Sequence, residues 1–148
     1  LEVIADIEKK DVSQVTDILN KESGIAGLSG VSSDFRDITK AIEEGNKTAK
    51  SAFDAYIQTV VRFVGAYVAV MNGVDNIVFT AGVGENNTAV RQAVCSHLGY
   101  LGVMLDEKAN SKRGEEVMIS TPDSKVKVYV IPTNEELAIA RETVSLLK

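Results

Sequence analysis

The chain has 148 residues, of which 45% are hydrophobic, and a formal net charge of −5. This length and hydrophobic content suit one ordinary globular domain, because a chain of that size buries roughly two-thirds of the surface that it exposes when unfolded. The charge is negative and the lysines and arginines are scattered, so we expect neither nucleic acid nor an anionic membrane as a partner.

The first third of the chain is predicted to be helical, with one loop. Residues 1–22 carry a charged, amphipathic pattern that predicts two short helices, and Asp11 is the predicted cap of the second. The chain begins inside that pattern with Leu1 rather than Met, which favours a fragment of a longer protein. Residues 23–33 are mostly glycine and serine and predict a loop. A further short helix is predicted over residues 34–44.

The clearest element in the sequence is a long helix over residues 47–71. Its apolar residues recur at helical spacing and occupy more than one narrow face, so we expect a central helix that is covered on several sides. Gly73 is expected to end this helix.

The second half of the chain predicts strands that alternate with helices. Ile77, Val78 and Phe79 form an apolar run without alternation, which predicts a short strand with both faces covered by helices. Two strand–turn–helix units in series indicate an α/β layer architecture. The predicted elements are strands over residues 76–80, 103–105, 117–120 and 125–131, and helices over 88–98 and 135–147.

The longest apolar run and the single cysteine indicate where the protein works. Residues 60–71 are interrupted by Arg62 and are too short to span a bilayer. Cys95 has no second cysteine to pair with, which fits a reducing compartment, and its apolar surroundings predict a core position. His97 has no partner at metal-ligand spacing, so we expect no metal or catalytic role for it. The protein is expected to be soluble and cytoplasmic.

Two glycines, Gly82 and Gly84, stand between the predicted strand at residues 76–80 and the helix that follows. Glycine permits a positive φ and lets a ligand lie directly against the backbone. A dinucleotide fingerprint would need a third glycine where Asn87 stands, and the Gly-Lys-Ser/Thr ending of a phosphate loop is missing. Two interpretations remain: a turn that accepts a flat ring, with Glu85 near a helix N-terminus and Asn86 or Asn87 as its cap, or a tight turn without a ligand.

A second motif, Asp34-Phe35-Arg36, follows the Gly/Ser segment at the start of a predicted helix. An aromatic ring beside a guanidinium can sandwich a purine, and the Asp34 carboxylate can accept a hydrogen bond from a ribose hydroxyl or an exocyclic amine. The alternative is an ordinary first helical turn, capped by Asp34 or Ser33, with Phe35 in the core.

A third motif joins the last predicted strand to the last helix. If Thr133 is the N-cap, Glu136 stands at the third helical position and completes a capping box, which leaves Glu135 free. A carboxylate at the carboxyl end of a strand can hold Mg²⁺ directly or through water. Alternatively, Glu135 only favours the positive end of the helix dipole.

Together the three motifs resemble the acetate kinase family, within the superfamily of sugar kinases, heat-shock proteins and actin-like ATPases. The resemblance is carried by residues 32–37, 75–86 and 132–141 and covers essentially the whole chain. It implies an incomplete ribonuclease H-like α/β domain with a long central helix. It also implies that residues 1–148 are the carboxyl-terminal nucleotide-binding portion of the kinase and that the amino-terminal domain is absent.

The same resemblance assigns roles to particular residues. It implies Mg²⁺ association for Glu135 and no catalytic residue in this chain, since the phosphate loop, the catalytic aspartate and the substrate-binding arginines of the family have no counterpart. Ala81 stands where many relatives have glycine, and Val83 where many have isoleucine. The residues that it implies for binding ATP or ADP are Asp34, Phe35, Arg36, Gly82, Val83, Gly84, Glu85 and Asn86.

The activity implied by the resemblance is reversible transfer of the γ-phosphoryl group of ATP to acetate, giving acetyl phosphate and ADP across a cleft between two domains. We expect the chain to be inactive alone and to form a homodimer, for which the long apolar helix gives a physical reason. Two alternatives stay open: a dimerisation and folding module that binds no nucleotide, and a fragment of a propionate or butyrate kinase.

Overall fold

The computed structural model describes residues 1–147 and has a mixed α/β fold, with one long helix and one small sheet. This confirms the predicted fold class. In chain order the elements are α1 (Glu2–Glu8), α2 (Val12–Lys21), α3 (Gly24–Ser29), α4 (Phe35–Glu43), α5 (Lys47–Met71), β1 (Asn76–Phe79), α6 (Ala81–Asn86), α7 (Thr88–Ser96), a 3-10 turn (Gly99–Leu101), α8 (Glu107–Asn110), β2 (Val117–Met118), β3 (Lys127–Val130) and α9 (Glu135–Leu146).

The chain divides into two compact units, Leu1–Val64 and a second that begins at Gly65. In the first unit α1 and α2 form as predicted. Asp11 caps α2 through a reciprocal pair of bonds: its carboxylate accepts from the Gln14 amide at 2.9 Å, and the Gln14 side chain accepts from the Asp11 amide at 3.0 Å. The buried apolar residues of this unit are Val15, Ile38, Ala41, Ala49, Ala52, Phe53 and Ile57.

The predicted loop over residues 23–33 is wrong in its centre, where α3 forms. Gly24, with a φ of 63°, is the first residue of α3, and Gly30, with a φ of 65°, is its C-cap. The glycines therefore begin and end a short helix instead of preventing one. Ser29 is buried and donates to the carbonyl of Ala26 at 3.3 Å, as a helical serine does.

The long helix α5 has the predicted length, and Gly73, with φ of 132°, follows its end. Its coverage differs from the prediction: the buried residues of α5 are all in its first half. Tyr67, Val70 and Met71, three residues at helical spacing that we call the α5 stripe, are 62%, 85% and 60% exposed. No residue between 1 and 147 covers this stripe.

The sheet has the strand order β1-β3-β2. Strands β1 and β3 are parallel, with Ile77 opposite Val128 and Phe79 opposite Val130, whereas β2 is antiparallel to β3. The strand predicted over residues 103–105 is reduced to a single bridge between Leu105 and Ser120.

Only one face of the sheet is covered, so the predicted coverage of both faces is wrong for the described chain. Val128 and Val130 are buried on the covered face. On the opposite face Val78 is 47% exposed and Met118 is 36% exposed, beside Tyr129 in the pairing register. The apolar residues that predicted a second layer are present, but within residues 1–147 no helix lies over them.

The last helix, α9, has no buried residue along its 12 positions. In the described part of the chain, no helix combines the length and the hydropathy that a bilayer crossing requires.

Candidate functional site

Two of the three motifs meet at one edge of the sheet. Because β1 and β3 are parallel neighbours, the segments that follow Phe79 and Val130 leave the sheet on the same side. The carboxylate of Glu85 accepts from Thr133 twice, from the backbone amide at 2.8 Å and from the hydroxyl at 3.1 Å. Residues 82–86 and the segment before α9 are therefore joined directly.

The Gly-Val-Gly segment is a short helix, α6, rather than an open turn. The predicted positive φ does not fall on either glycine: it falls on Ala81, at 58°. A Cβ on Gly84 would touch the backbone of Phe79 at 3.4 Å, so this glycine faces β1. A Cβ on Gly82 would meet nothing within 4 Å. The open side of α6, where a flat ring can approach the backbone, is therefore at Gly82.

The remaining polar side chains of this segment have local partners. Asn86 donates to the carbonyl of Gly82 at 2.9 Å, and Asn87 caps α7 by accepting from the Val90 amide at 2.9 Å. The Thr133 backbone N–H lowers the pKa of Glu85, and the Thr133 hydroxyl and the Ala81 backbone act in the same direction, while desolvation opposes them. Glu85 thus stays charged and holds Thr133.

The predicted capping box at Thr133 and Glu136 is wrong. The N-cap of α9 is Asn134, whose side chain accepts from the Leu137 amide at 3.1 Å. Thr133 lies one residue before the cap, and its amide and hydroxyl both donate to Glu85.

Glu135 begins α9 and is exposed, in a depression open to solvent that residues 133–136 line. Within residues 1–147 no group of three or more His, Cys, Asp or Glu side chains is placed to hold a metal ion. Mg²⁺ usually keeps several waters and binds through one or two carboxylates plus substrate phosphates. The exposed carboxylate of Glu135 suits that mode of binding. A site in which the described residues supply all the ligands of the metal is excluded, because they form no such cluster.

The Asp34-Phe35-Arg36 motif lies in the first unit, at the start of α4. Asp34 is the N-cap and accepts from the Arg36 amide at 2.8 Å. Its carboxylate also pairs with the Arg36 side chain through Nε at 3.0 and 3.1 Å and through Nη2 at 2.5 Å. These bonds lower the pKa of Asp34 to about 2. The Arg36 side chain is 89% exposed.

Phe35 packs inside the first unit. Its ring lies 4.6 Å from Tyr56 and 6.4 Å from Phe53, centroid to centroid, both in edge-on geometry. Stacking of Phe35 and Arg36 on a purine stays a prediction.

One residue of the site was missed by the sequence reasoning. Arg91 is fully buried and donates to the carbonyls of Gly84 at 3.0 Å and Glu85 at 2.6 Å. The signal that could have found it is an arginine between Val90 and Val94, on the apolar side of a predicted helix. Cys95, by contrast, is the buried core residue that was predicted, and burial raises the pKa of its thiol to about 11.

The model of the acetokinase family matches residues 1–141 of the chain. An acetate kinase from Lachnoclostridium phytofermentans is 56% identical over 147 residues, which cover 99% of this chain and 37% of that protein. An acetate kinase from Clostridium botulinum is 58% identical over 135 residues, which cover 91% of this chain and 34% of that protein. The chain therefore spans little more than a third of the length of the curated relatives that it matches.

Solved structures agree with these sequence matches. The crystal structure of the Porphyromonas gingivalis acetate kinase superposes with a TM-score of 0.88 at 44% identity, covering 99% of this chain and 37% of that one. A propionate kinase from Francisella tularensis superposes with a TM-score of 0.82 at 37% identity, covering 95% of this chain and 36% of that one.

Proposed function

Because the chain belongs to the acetokinase family, we propose that it is the adenosine-binding portion of a cytoplasmic acetate kinase. The intact enzyme transfers the γ-phosphoryl group of ATP to acetate reversibly, giving acetyl phosphate and ADP. Its catalytic residues lie in parts of the protein other than residues 1–148, so this chain alone is inactive.

The observation that carries the proposal is the edge shared by β1 and β3. There the bond between Glu85 and Thr133 holds the glycine segment beside the start of α9, which bears Glu135. Ligands of open α/β sheets bind outside the carboxyl ends of parallel strands, which is where this edge lies.

Each residue of the proposed site has a distinct task. The open backbone at Gly82 accepts the flat face of the nucleoside. In the first unit, the exposed guanidinium of Arg36 provides a surface that can stack on an aromatic ring. The Asp34 carboxylate accepts from a ribose hydroxyl. Glu135 associates with Mg²⁺, which neutralises charge on the phosphates when it is bound.

Calorimetric titration of the 148-residue chain with ATP-Mg tests this function. We expect weak, saturable heat that Arg36→Ala diminishes, because the variant loses the stacking group. Arg62→Ala is the matched control, since Arg62 is an exposed arginine on α5 outside all three motifs. Absence of heat at millimolar nucleotide would contradict nucleotide binding by the chain and favour the dimerisation and folding module.

A second candidate differs only in the acyl substrate. The structural similarity to a propionate kinase favours it. Turnover by the full-length protein with acetate, propionate and butyrate distinguishes the candidates: a higher kcat/KM for propionate or butyrate than for acetate would replace the first proposal.

We also propose that the chain forms a homodimer in which a second copy covers the α5 stripe. Tyr67, Val70 and Met71 expose contiguous apolar surface at helical spacing, as helices that pack on a partner do.

A further inference from the structure

Arg91 is the largest fully buried side chain in the described residues, with 0% of its surface exposed. A buried cation normally has a carboxylate partner, because removing a charge from water is costly. None of the ion pairs found among residues 1–147 includes Arg91. Among the described residues, the charged guanidinium is therefore stabilised by hydrogen bonds to neutral oxygen atoms.

Five acceptors match the five N–H groups of the guanidinium. Nε donates to Asn110 Oδ1 at 2.7 Å, and Nη1 donates to the carbonyls of Gly84 at 3.0 Å and Glu85 at 2.6 Å. Nη2 donates to the carbonyls of Asn110 at 2.5 Å and Lys112 at 3.4 Å. Only a planar arginine fork can reach all of these at once; an ammonium group cannot.

The acceptors lie at two helix ends. Gly84 and Glu85 belong to the last turn of α6, and Asn110 is the last residue of α8. The last carbonyls of a helix have no intrahelical partner and carry the negative end of its dipole. Asn110 is itself buried and donates to the carbonyl of Thr88 at 3.1 Å, so it braces Arg91 from the start of α7.

A second observation, backbone strain at Ala81, connects the hydrogen bonds of Arg91 with residues 82–86, the proposed nucleotide-binding segment. Ala81, the first residue of α6, has a φ of 58°, a conformation that costs a non-glycine residue free energy. Such strain persists only where the surrounding structure holds the backbone in place. The bonds from Arg91 to the carbonyls of Gly84 and Glu85 hold the far end of α6 from the side of α7, while the Glu85 carboxylate holds it to Thr133.

We propose that Arg91, braced by Asn110, is a positioning residue that fixes the backbone of residues 82–86 in the conformation that accepts the nucleoside. The inference rests on the proposed function of that segment. Arg91 does not touch the ligand; it acts through the carbonyls that it holds.

Two variants of the full chain test the proposal. Arg91→Lys keeps the charge and loses the planar fork, and Asn110→Ala removes the brace while Arg91 stays. We expect hydrogen–deuterium exchange of the amides of residues 82–87 to accelerate about tenfold in both, while amides of the β1–β3 ladder keep their rates. We expect affinity for ATP-Mg to fall about tenfold in calorimetry. Arg62→Lys is the control and should change neither quantity.

The outcomes separate this proposal from the function on which it rests. Unchanged exchange at residues 82–87, or acceleration spread evenly over the second unit, would overturn it. Local acceleration with unchanged affinity for ATP-Mg would also overturn it. If the wild-type chain binds no nucleotide, the proposed function fails, and the exchange pattern alone decides whether Arg91 fixes the segment. If Arg91→Lys does not fold, Asn110→Ala provides the same readouts.

Discussion

Gly82 and Gly84 differ in the space beside their backbones, and this difference distinguishes a glycine that leaves room for a ligand from one that is needed for packing. A Cβ there would meet no atom within 4 Å, whereas a Cβ on Gly84 would touch Phe79. Both glycines belong to the same short helix and have ordinary helical φ, so neither is needed for a positive φ. The missing Cβ therefore leaves open space at Gly82, where the proposed ligand would lie, and permits the close approach of β1 at Gly84.

The first prediction follows from this difference. Gly82→Ala should keep or raise the free energy of unfolding by about 0.5–1 kcal/mol, because alanine favours a helix more than glycine does. Its methyl group projects into the open space and should weaken ATP-Mg binding about tenfold. Gly65→Ala is the matched control, since Gly65 is also a helical glycine with nothing within 4 Å of an added Cβ but lies on α5 outside the three motifs, so the change should leave nucleotide affinity unchanged. Equal affinities of both variants and wild type would contradict a ligand at Gly82.

The second prediction concerns Asp34. Its folded pKa of about 2 lies below the ordinary value of 3.8, so the charged carboxylate stabilises the fold above pH 3.8 and that contribution is lost as the pH falls toward 2. Arg36→Ala should raise the Asp34 pKa, because the side-chain bond of Arg36 is the largest cause of the lowering. The backbone N–H of residue 36 remains, so the pKa should stay below 3.8. Titration of the carboxyl carbon by NMR measures both values; an unchanged pKa would contradict the ion pair.

At the scale of the elements, some features could be predicted from the sequence because their causes are local. The 25 residues of α5 have a long apolar periodicity, and Asp11 caps α2 through Gln14 only three residues away. The cap of α9 could not be predicted in this way. The helix begins one residue later than the pattern predicts, and Thr133 instead donates to Glu85, 48 residues earlier in the chain, a contact that forms only after β1 and β3 pair.

In the candidate site, too, some features could be predicted from the sequence and others depend on tertiary contacts. Its residue types and the meeting of two motifs at one sheet edge follow from the strand–turn–helix order. The strain at Ala81 and the buried Arg91 depend on tertiary contacts between α6, α7 and α8, which no short sequence pattern encodes.

The third prediction tests the cap of α9. Asn134→Ala should destabilise the start of the helix by about 0.5–2 kcal/mol, because the Leu137 amide loses its acceptor. No residue of α9 is buried, so packing cannot compensate, and amide exchange in its first turns should accelerate. Thr133→Val leaves the cap in place and is the comparison. A larger effect of Thr133→Val on the first turns of α9 would make Thr133 the cap after all.

For the molecule as a whole, the fourth prediction is self-association through the α5 stripe. In sedimentation at micromolar concentration we expect a dimer, because a second copy would remove Tyr67, Val70 and Met71 from water. Val70→Lys should shift the chain toward a monomer. Val12→Lys, at an apolar residue of α2 that is 52% exposed, is the control and should leave the dimer intact. A wild-type monomer under these conditions would contradict the prediction.

The parallel pairing of β1 with β3 has a consequence for co-translational folding. Asn76 finds its partner Lys127 about 50 positions later in the chain, so at ordinary rates of translation β1 waits roughly 3 to 10 seconds after its synthesis. During that interval its hydrogen-bonding edges and its apolar side chains have no strand to join within the described chain, and unpaired edges of this kind promote aggregation. Aggregation through β1 is therefore most favoured in the interval between the emergence of β1 from the ribosome and that of β3.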